Sequence, residues 1–286
     1  MRIRRPTLLR MLERKAMITS SVMLAIFVCL AVFGPYLAPY GPNDIIVSER
    51  LQPPNSRHIF GTDDLGRDIL SRVVFGTQGS MSVAAMSVLI GMSLGLVMGI
   101  TSGFYGGMLD TVLGRVMDTI LGFPDILLAM VTVAILGPGI TNAMIAIGIA
   151  NIPYFGRLIR AAVLAEREKR YVLSERAIGA SDMYDALRHI LPNCIAPTIV
   201  QISTTLGYSI LTAAALSFIG LGEQPPAASW GRDLSDARVY MSVAPWAALF
   251  PGLFIILSVL ATSVLGDSLN ESLNPKLRRI RERRVR

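Results

Sequence analysis

Five stretches of this chain contain no Asp, Glu, Lys or Arg: Ala16–Asn43, Val73–Leu109, Ile126–Gly156, Ile190–Gly222 and Val239–Gly266. Roughly 20 apolar residues suffice for a helix to cross the hydrocarbon core of a bilayer, and each stretch is long enough. Inside hydrocarbon the backbone must satisfy its own hydrogen bonds, so such runs become helices packed side by side. Hydrophobic residues make up 52% of the 286 and charged residues only 16%, against roughly 25% charged in soluble domains. One soluble core does not explain that bunching. The expectation is an all-α, multi-pass integral membrane protein.

Six spans fit best, at approximately Met17–Tyr36, Ser80–Ser102, Val116–Leu136, Ile140–Ala161, Ala196–Ile219 and Ala247–Gly266. Gly137-Pro138-Gly139 interrupts the long run Ile126–Gly156 as a turn signal, so that stretch holds parts of two helices. The formal charge of +7 collects at the ends. Arg2, Arg4, Arg5, Arg10, Arg14 and Lys15 precede the first span, and Lys276, Arg278, Arg279, Arg281, Arg283, Arg284 and Arg286 close the chain. Basic tails also suit nucleic acid, but both clusters abut spans. The positive-inside bias accounts for them with both termini cytoplasmic and no nucleic-acid partner. Met17–Tyr36 is longer than a signal-peptide core and ends in Pro and Tyr, so it reads as a retained span. The chain divides into an N-terminal cytoplasmic arm, first span and external loop (1–79), a membrane core (80–270) and a basic cytoplasmic tail (271–286).

Three polar or small-residue patterns stand out within the spans. Gly91, Gly95, Gly99 and Gly103 recur every four residues, with Ser87 one step earlier, and stack a face that lets another helix backbone approach closely. In the fifth span Gln201, Thr205, Tyr208, Ser209 and Thr212 share one face, which must look toward protein or water. That face reads either as the wall of a transport path or as hydrogen-bonding glue between helices. In the third span Asp118 falls at the cytoplasmic interface, and Asp125 lies roughly 10 Å deeper if the helix is continuous. Pro124 loosens the helix just before Asp125, and a structural or gating role fits that carboxylate better than a proton relay.

Between the fourth and fifth spans lies the polar, helix-forming stretch Tyr171–Asn193. Glu166–Ala177 reads as a helix, and Gly179 ends it. Ser181 caps a second helix with Asp182 and Asp185 in its first turn, where negative charge suits the helix dipole. Pro192 opens or bends the helix after it. On composition alone the stretch is a solvated amphipathic linker; hung between spans, it is also placed to take a push from a partner.

Several chemistries are set aside by what is missing. The chain has no Gly-x4-Gly-Lys-Ser/Thr phosphate loop, no His-Glu-x-x-His zinc helix and no Gly-x-Ser-x-Gly elbow. Its histidines are His58 and His189, and His189 reads as packing or capping rather than as a base. Cys29 and Cys194 sit far apart in or beside apolar runs and read as buried hydrophobes. Asp63, Asp64, Arg67 and Asp68 imitate a metal or catalytic cluster in an external loop. No catalytic residue, metal site or cofactor is expected.

Family resemblance gives the loop a role. Gly179, nine residues, then His189-Ile-Leu-Pro192 resembles the coupling loop of ABC importer membrane subunits. Phe60-Gly-Thr-Asp-Asp-Leu-Gly-Arg-Asp68 resembles the external segment before the second span in the dipeptide/oligopeptide/nickel branch. Leu136-Gly-Pro-Gly139, Leu216-Ser-Phe-Ile-Gly-Leu-Gly222, Gln224-Pro-Pro226, Ser229-Trp-Gly231 and Ala244-Pro-Trp246 look like that branch too, in order and spacing. The chain is thus similar to the C-type permease subunits of dipeptide transport systems. One departure is plain: the family's Glu-Ala-Ala before the Gly is Leu173-Ser174-Glu175 here, and Glu175 is rotated by about 200° from the missing acid.

That resemblance implies a type I ABC importer permease fold with a cytoplasmic coupling-helix loop carried by Glu175, Arg176, Ala177, Gly179, Ala180, Ser181, Asp182, His189, Leu191 and Pro192. It implies a bacterial or archaeal cytoplasmic (inner) membrane, and a path lined by Gln201, Thr205, Tyr208, Ser209, Thr212 and Asp125. The implied partners are a second homologous permease subunit in a heterodimer, two ABC ATPase subunits that hydrolyse the ATP, and an extracytoplasmic solute-binding protein. Di- and oligopeptides are the first-choice cargo, with nickel or another small polar solute as the alternative. A stand-alone secondary transporter would need inverted repeats or an ion site, which the sequence does not display, and an intramembrane hydrolase would need a nucleophile–base motif.

Overall fold

The computed structural model describes residues 5–177, Tyr184, Arg188 and 191–273. The helices are α1 Arg5–Leu37, α2 Ile69–Tyr105, α3 Gly107–Leu121, α4 Asp125–Leu136, α5 Ile140–Arg167, α6 Arg170–Ala177, α7 Leu191–Phe218, α8 Trp230–Ala237 and α9 Trp246–Leu273. There is no strand among the described residues, only an isolated bridge between Thr62 and Asp68. Five helices (α1, α2, α5, α7 and α9) are long and apolar enough to cross a membrane, and α3 with α4 forms a sixth candidate.

That sixth candidate corrects the expectation of a continuous span over Val116–Leu136. α3 and α4 meet at a 92° bend. The break falls at Gly122-Phe123-Pro124: Pro124 has no N–H to donate and takes extended backbone angles at the start of α4, so the hydrogen-bond ladder stops rather than loosens. The depth ruler that set Asp125 roughly 10 Å beyond Asp118 assumed a straight helix and does not hold across the break. A second difference lies at the far end of α5, which runs on to Arg167, so that the helix expected over Glu166–Ala177 is the end of α5 plus a separate α6.

The other turns follow the sequence. Gly106 and Gly107 have φ of +67° and +58°, which reverses the chain between α2 and α3 without the clash an L side chain would bring. Gly137 and Gly139 flank the α4–α5 turn, and Asn142 donates its side-chain amide to the carbonyls of Leu136 (3.0 Å) and Gly137 (2.9 Å) at the end of α4.

α2 and α5 form the spine. A Cβ built on Gly91 would sit 2.6 Å from Asn151 Cβ, on Gly95 2.7 Å from Phe155 Cβ, on Gly99 2.6 Å from the Gly156 carbonyl, and on Gly103 2.8 Å from Val163 Cβ. The stripe is where the α2 backbone lies directly on α5. Ser87 extends it by donating to the Met144 carbonyl at 3.1 Å. α1, α7 and α9 then pack around this pair, with Phe27, Val73, Ile210, Trp230 and Ile255 in one buried cluster. The loops 38–68, 137–139 and 219–245 share one end of the bundle, here the loop end. The α2–α3 turn and the α5–α6–α7 connection mark the opposite end.

Candidate functional site

Sequence motifs far apart in the chain converge at the loop end. Trp230, at the start of α8, is fully buried. Its indole N–H donates to the Val73 carbonyl at 2.8 Å, and its ring meets Phe27 and Phe254 edge to face at 6.0 Å each. The next residue must be Gly, because any Cβ on Gly231 would run into the Ala214 carbonyl on α7. Trp246, at the start of α9, donates to the Thr62 carbonyl at 3.3 Å. It lies against Gly61, whose φ of +76° leaves no room for a side chain. Phe60 stacks on Phe250 at 3.9 Å. The Gly139 amide of the α4–α5 turn donates to the Leu221 carbonyl at 3.2 Å, tying two more of the motifs together.

A buried charge network fastens this end. Arg72, with 4% of its side chain exposed, bonds Asp233 through Nε (3.1 Å) and Nη2 (2.5 Å). Its Nη1 donates to the Pro42 carbonyl at 2.8 Å. The other carboxylate oxygen of Asp233 is buried with no hydrogen-bond partner among the described residues, and burial pushes this carboxyl up despite the pull of Arg72. Asp63 takes the Arg67 Nε–H at 2.6 Å. Asp68 caps α2 by accepting from the Ser71 amide at 2.7 Å. His58 lies between Asp68 and Glu49, 2.9 Å from each carboxylate. Burial pulls the imidazole down, but the two carboxylates more than offset it and leave His58 raised. Hydrogen bonding from His58 lowers Glu49. Two of the acids that imitate a metal cluster are thus held elsewhere, Asp63 in an ion pair with Arg67 and Asp68 in the cap of α2 and the His58 contact, and no three potential ligands gather for a metal among the described residues.

At the opposite end Asp110 accepts both Arg160 Nε (2.6 Å) and Nη2 (2.7 Å), and Arg167 caps the last carbonyls of α2 by donating to Gly103 at 2.9 Å. Glu166 has 5% of its surface exposed. It accepts from the Tyr171 hydroxyl at 2.8 Å and from the Asn193 side-chain amide, and pairs with Lys169. One buried carboxylate thus holds both ends of the Tyr171–Asn193 connection. Of the expected coupling residues, Glu175, Arg176 and Ala177 lie on the α6 backbone, and Leu191 and Pro192 open α7. Gly179, Ala180, Ser181, Asp182 and His189 lie outside the described residues.

The polar face of α7 splits in two. Ser209 is buried and accepts from the Asn151 side-chain amide at 3.1 Å across to α5. Thr205 and Thr212 are buried, with Gln201 donating to Thr205 at 3.0 Å and Thr212 to its own helix at 3.0 Å. Tyr208 instead stays 42% exposed and interacts with Asp125. Asp125, at the start of α4, accepts from the Tyr154 hydroxyl at 2.6 Å. Glu166, Arg72 and Tyr154 were not singled out by sequence reading, whereas Trp230 was marked only as part of the Ser229-Trp-Gly231 motif. Of those three, Glu166 carried a usable signal, as an acid beside the polar stretch.

Residues 91–279 match the family described as binding-protein-dependent transport system inner membrane component, and residues 5–54 match the N-terminal TM domain of oligopeptide transport permease C. The dipeptide transport system permease protein DppC of Alkalihalophilus pseudofirmus is 42% identical over 266 residues, covering 93% of this chain and 88% of that protein. The glutathione transport system permease protein GsiD of Pectobacterium atrosepticum is 41% identical over 270 residues, covering 94% and 90%. Among solved structures, the inward-facing MetNI methionine ABC transporter superposes with a TM-score of 0.58 at 17% identity, over 71% of this chain and 96% of that one. An amino acid ABC transporter crystallised with histidines gives 0.52 at 17% identity, over 73% and 94%. These likenesses show the fold, that of type I importer permeases.

Proposed function

The chain belongs to the family of binding-protein-dependent transport system inner membrane components, and from that premise we propose that it forms half of the membrane path of an ATP-driven importer for di- and oligopeptides. Membership carries the coarser statements outright: a multi-pass permease subunit of an ABC importer in the inner membrane, working with ATPase subunits and a solute-binding protein. The peptide cargo rests on one observation, the 42% identity across 93% of the chain to a permease named for dipeptide transport. A relative named for glutathione, itself a peptide, supports the same class. The second membrane subunit is a homologous but different permease, both termini are cytoplasmic, and the loop end faces outward toward the binding protein.

Glu175, Arg176, Ala177, Gly179, Ala180, Ser181, Asp182, His189, Leu191 and Pro192 form the contact with the ATPase pair. A ligand shifts an equilibrium only by its differential affinity for the two states, so this contact must favour one arrangement of the permease. The grip of Glu166 on Tyr171 and Asn193 supports that role, because it joins movement of the loop to α5 and α7 together. Asp125, Tyr208 and the neighbouring α7 face line the path, and the glycine stripe keeps α2 and α5 a single body while other helices move.

The test of the cargo is mass spectrometry of ligands carried by the cognate binding protein. Peptides are the expected result; a nickel complex or another small polar solute would overturn the peptide assignment. The coupling loop is tested by Gly179→Trp in the reconstituted complex. The expected result is loss of uptake with ATP hydrolysis no longer stimulated by loaded binding protein. Wild-type values for both would remove the loop from this role.

A further inference from the structure

Tyr154 lies about 20 Å from either end of α5, and Tyr208 about 15 Å from the loop end of α7, at 1.5 Å per residue. Both are therefore near the middle of a hydrocarbon core about 30 Å thick. Both are exposed on the surface of the chain, at 37% and 42%, and between them stands the partly exposed carboxylate of Asp125. A carboxylate and two phenols at this depth do not face lipid, where polar groups find no partners.

The charge on Asp125 is supported from within the chain. Its position in the first turn of α4 puts it at the positive end of a helix dipole. The Tyr154 hydroxyl donates to it at 2.6 Å. Asp118 has Arg157 and Asp110 has Arg160, but among the described residues no Lys, Arg or His pairs with Asp125. Two aromatic rings beside an uncompensated carboxylate make a setting for an ammonium group, which takes hydrogen bonds from the carboxylate and favours aromatic faces.

We propose that Asp125, Tyr154 and Tyr208 form a contact site in the path for the free N-terminal ammonium group of the peptide cargo. Asp125 supplies the counter-charge, Tyr154 holds its carboxylate in place, and Tyr208 borders the site. The break at Gly122–Pro124 starts α4 at this depth and so brings the carboxylate to mid-membrane. The site rests on the peptide reading of the function.

The experiment uses the whole importer in proteoliposomes: both permease subunits, the ATPase pair and the binding protein. The cargo is a pool of di- to pentapeptides lacking Lys, Arg and His, half of it N-acetylated. Asp125→Asn is expected to lower uptake of the free peptides about tenfold or more. Uptake of the acetylated peptides and ATP hydrolysis stimulated by loaded binding protein should stay within about twofold of wild type. Equal loss in both pools, no loss in either, or loss of stimulated hydrolysis together with uptake would overturn the site; the last pattern would mark an ion pair with the partner subunit. Wild-type importer that takes up no peptide would remove the peptide reading itself, and the site with it. A binding protein that rejects acetylated peptides leaves a second measurement. Peptides with a photoreactive first residue, trapped in the vanadate-locked complex, should label α4, α5 or α7 around Asp125. Labelling confined to other segments would overturn the proposal.

Discussion

Replacing Gly95 by Ala adds one methyl group at the closest approach of α2 and α5. That carbon would lie 2.7 Å from Phe155 Cβ, 2.8 Å from the Ile152 carbonyl oxygen and 2.9 Å from the Gly156 amide nitrogen. Ordinary carbon contacts are about 3.5–4.0 Å, so relief needs a local separation on the order of 1 Å. None of the three atoms can swing away, since two are backbone and the third is fixed to it. The helices must part, and the close contacts at Gly91 and Gly99 loosen with them. Overpacking of this kind costs about 1–3 kcal/mol. The control is Gly114→Ala on α3, where nothing lies within 4 Å of the added carbon and better helix propensity contributes up to about 1 kcal/mol of stabilisation. The propensity gain is common to both variants and cancels, so reversible unfolding of the purified chain in mixed micelles should separate them by roughly 1–3 kcal/mol. Equal stabilities would refute the claim that the glycine stripe sets the α2–α5 distance.

Asp233→Ala strands the buried Arg72 guanidinium and should destabilise the loop end by about 3–5 kcal/mol, read as accelerated proteolysis of the 219–245 loop; an Arg72→Met/Asp233→Leu double variant should recover much of it. Trp230→Ala empties the fully buried contact with Phe27 and Phe254 and should cost about 3–5 kcal/mol, seen as a lower steady-state level in membranes. His58 is raised in the fold, so its contribution is complete below its unfolded value of 6.5 and fades as pH rises through the folded one. Glu49 is lowered, so its contribution is present above 4.5 and is lost as pH falls through its folded value. Protection of segment 38–68 from protease should therefore peak between 4.5 and 6.5, and His58→Gln should flatten the profile.

The spans were legible because uncharged runs and bilayer thickness speak to the same length, and the glycine stripe because its period of four matches a helix face. Hydropathy records no direction, however, so Val116–Leu136 read as one span although Pro124 ends one helix and starts another at 92°. The polar face of α7 was visible as a face, but its division was not. Ser209 is buried because Asn151 stands opposite it on α5, and Tyr208 is exposed because no helix among the described residues covers it. Pairings such as Arg72 with Asp233, 161 residues apart, leave no periodic trace. The family motifs marked the loop end correctly as a set, while their physical reasons (a Trp buried against Val73, a Gly pressed on Ala214, a Trp closing on Gly61) needed coordinates.

Uptake by the reconstituted complex bears most directly on the assignment. Accumulation of cargo in proteoliposomes should require both ATP hydrolysis and the loaded binding protein, and should stop when vanadate blocks the ATPase pair or the binding protein is left out. Accumulation that continues under both conditions, driven by a proton or sodium gradient, would contradict the account and return the chain to the class of stand-alone secondary transporters.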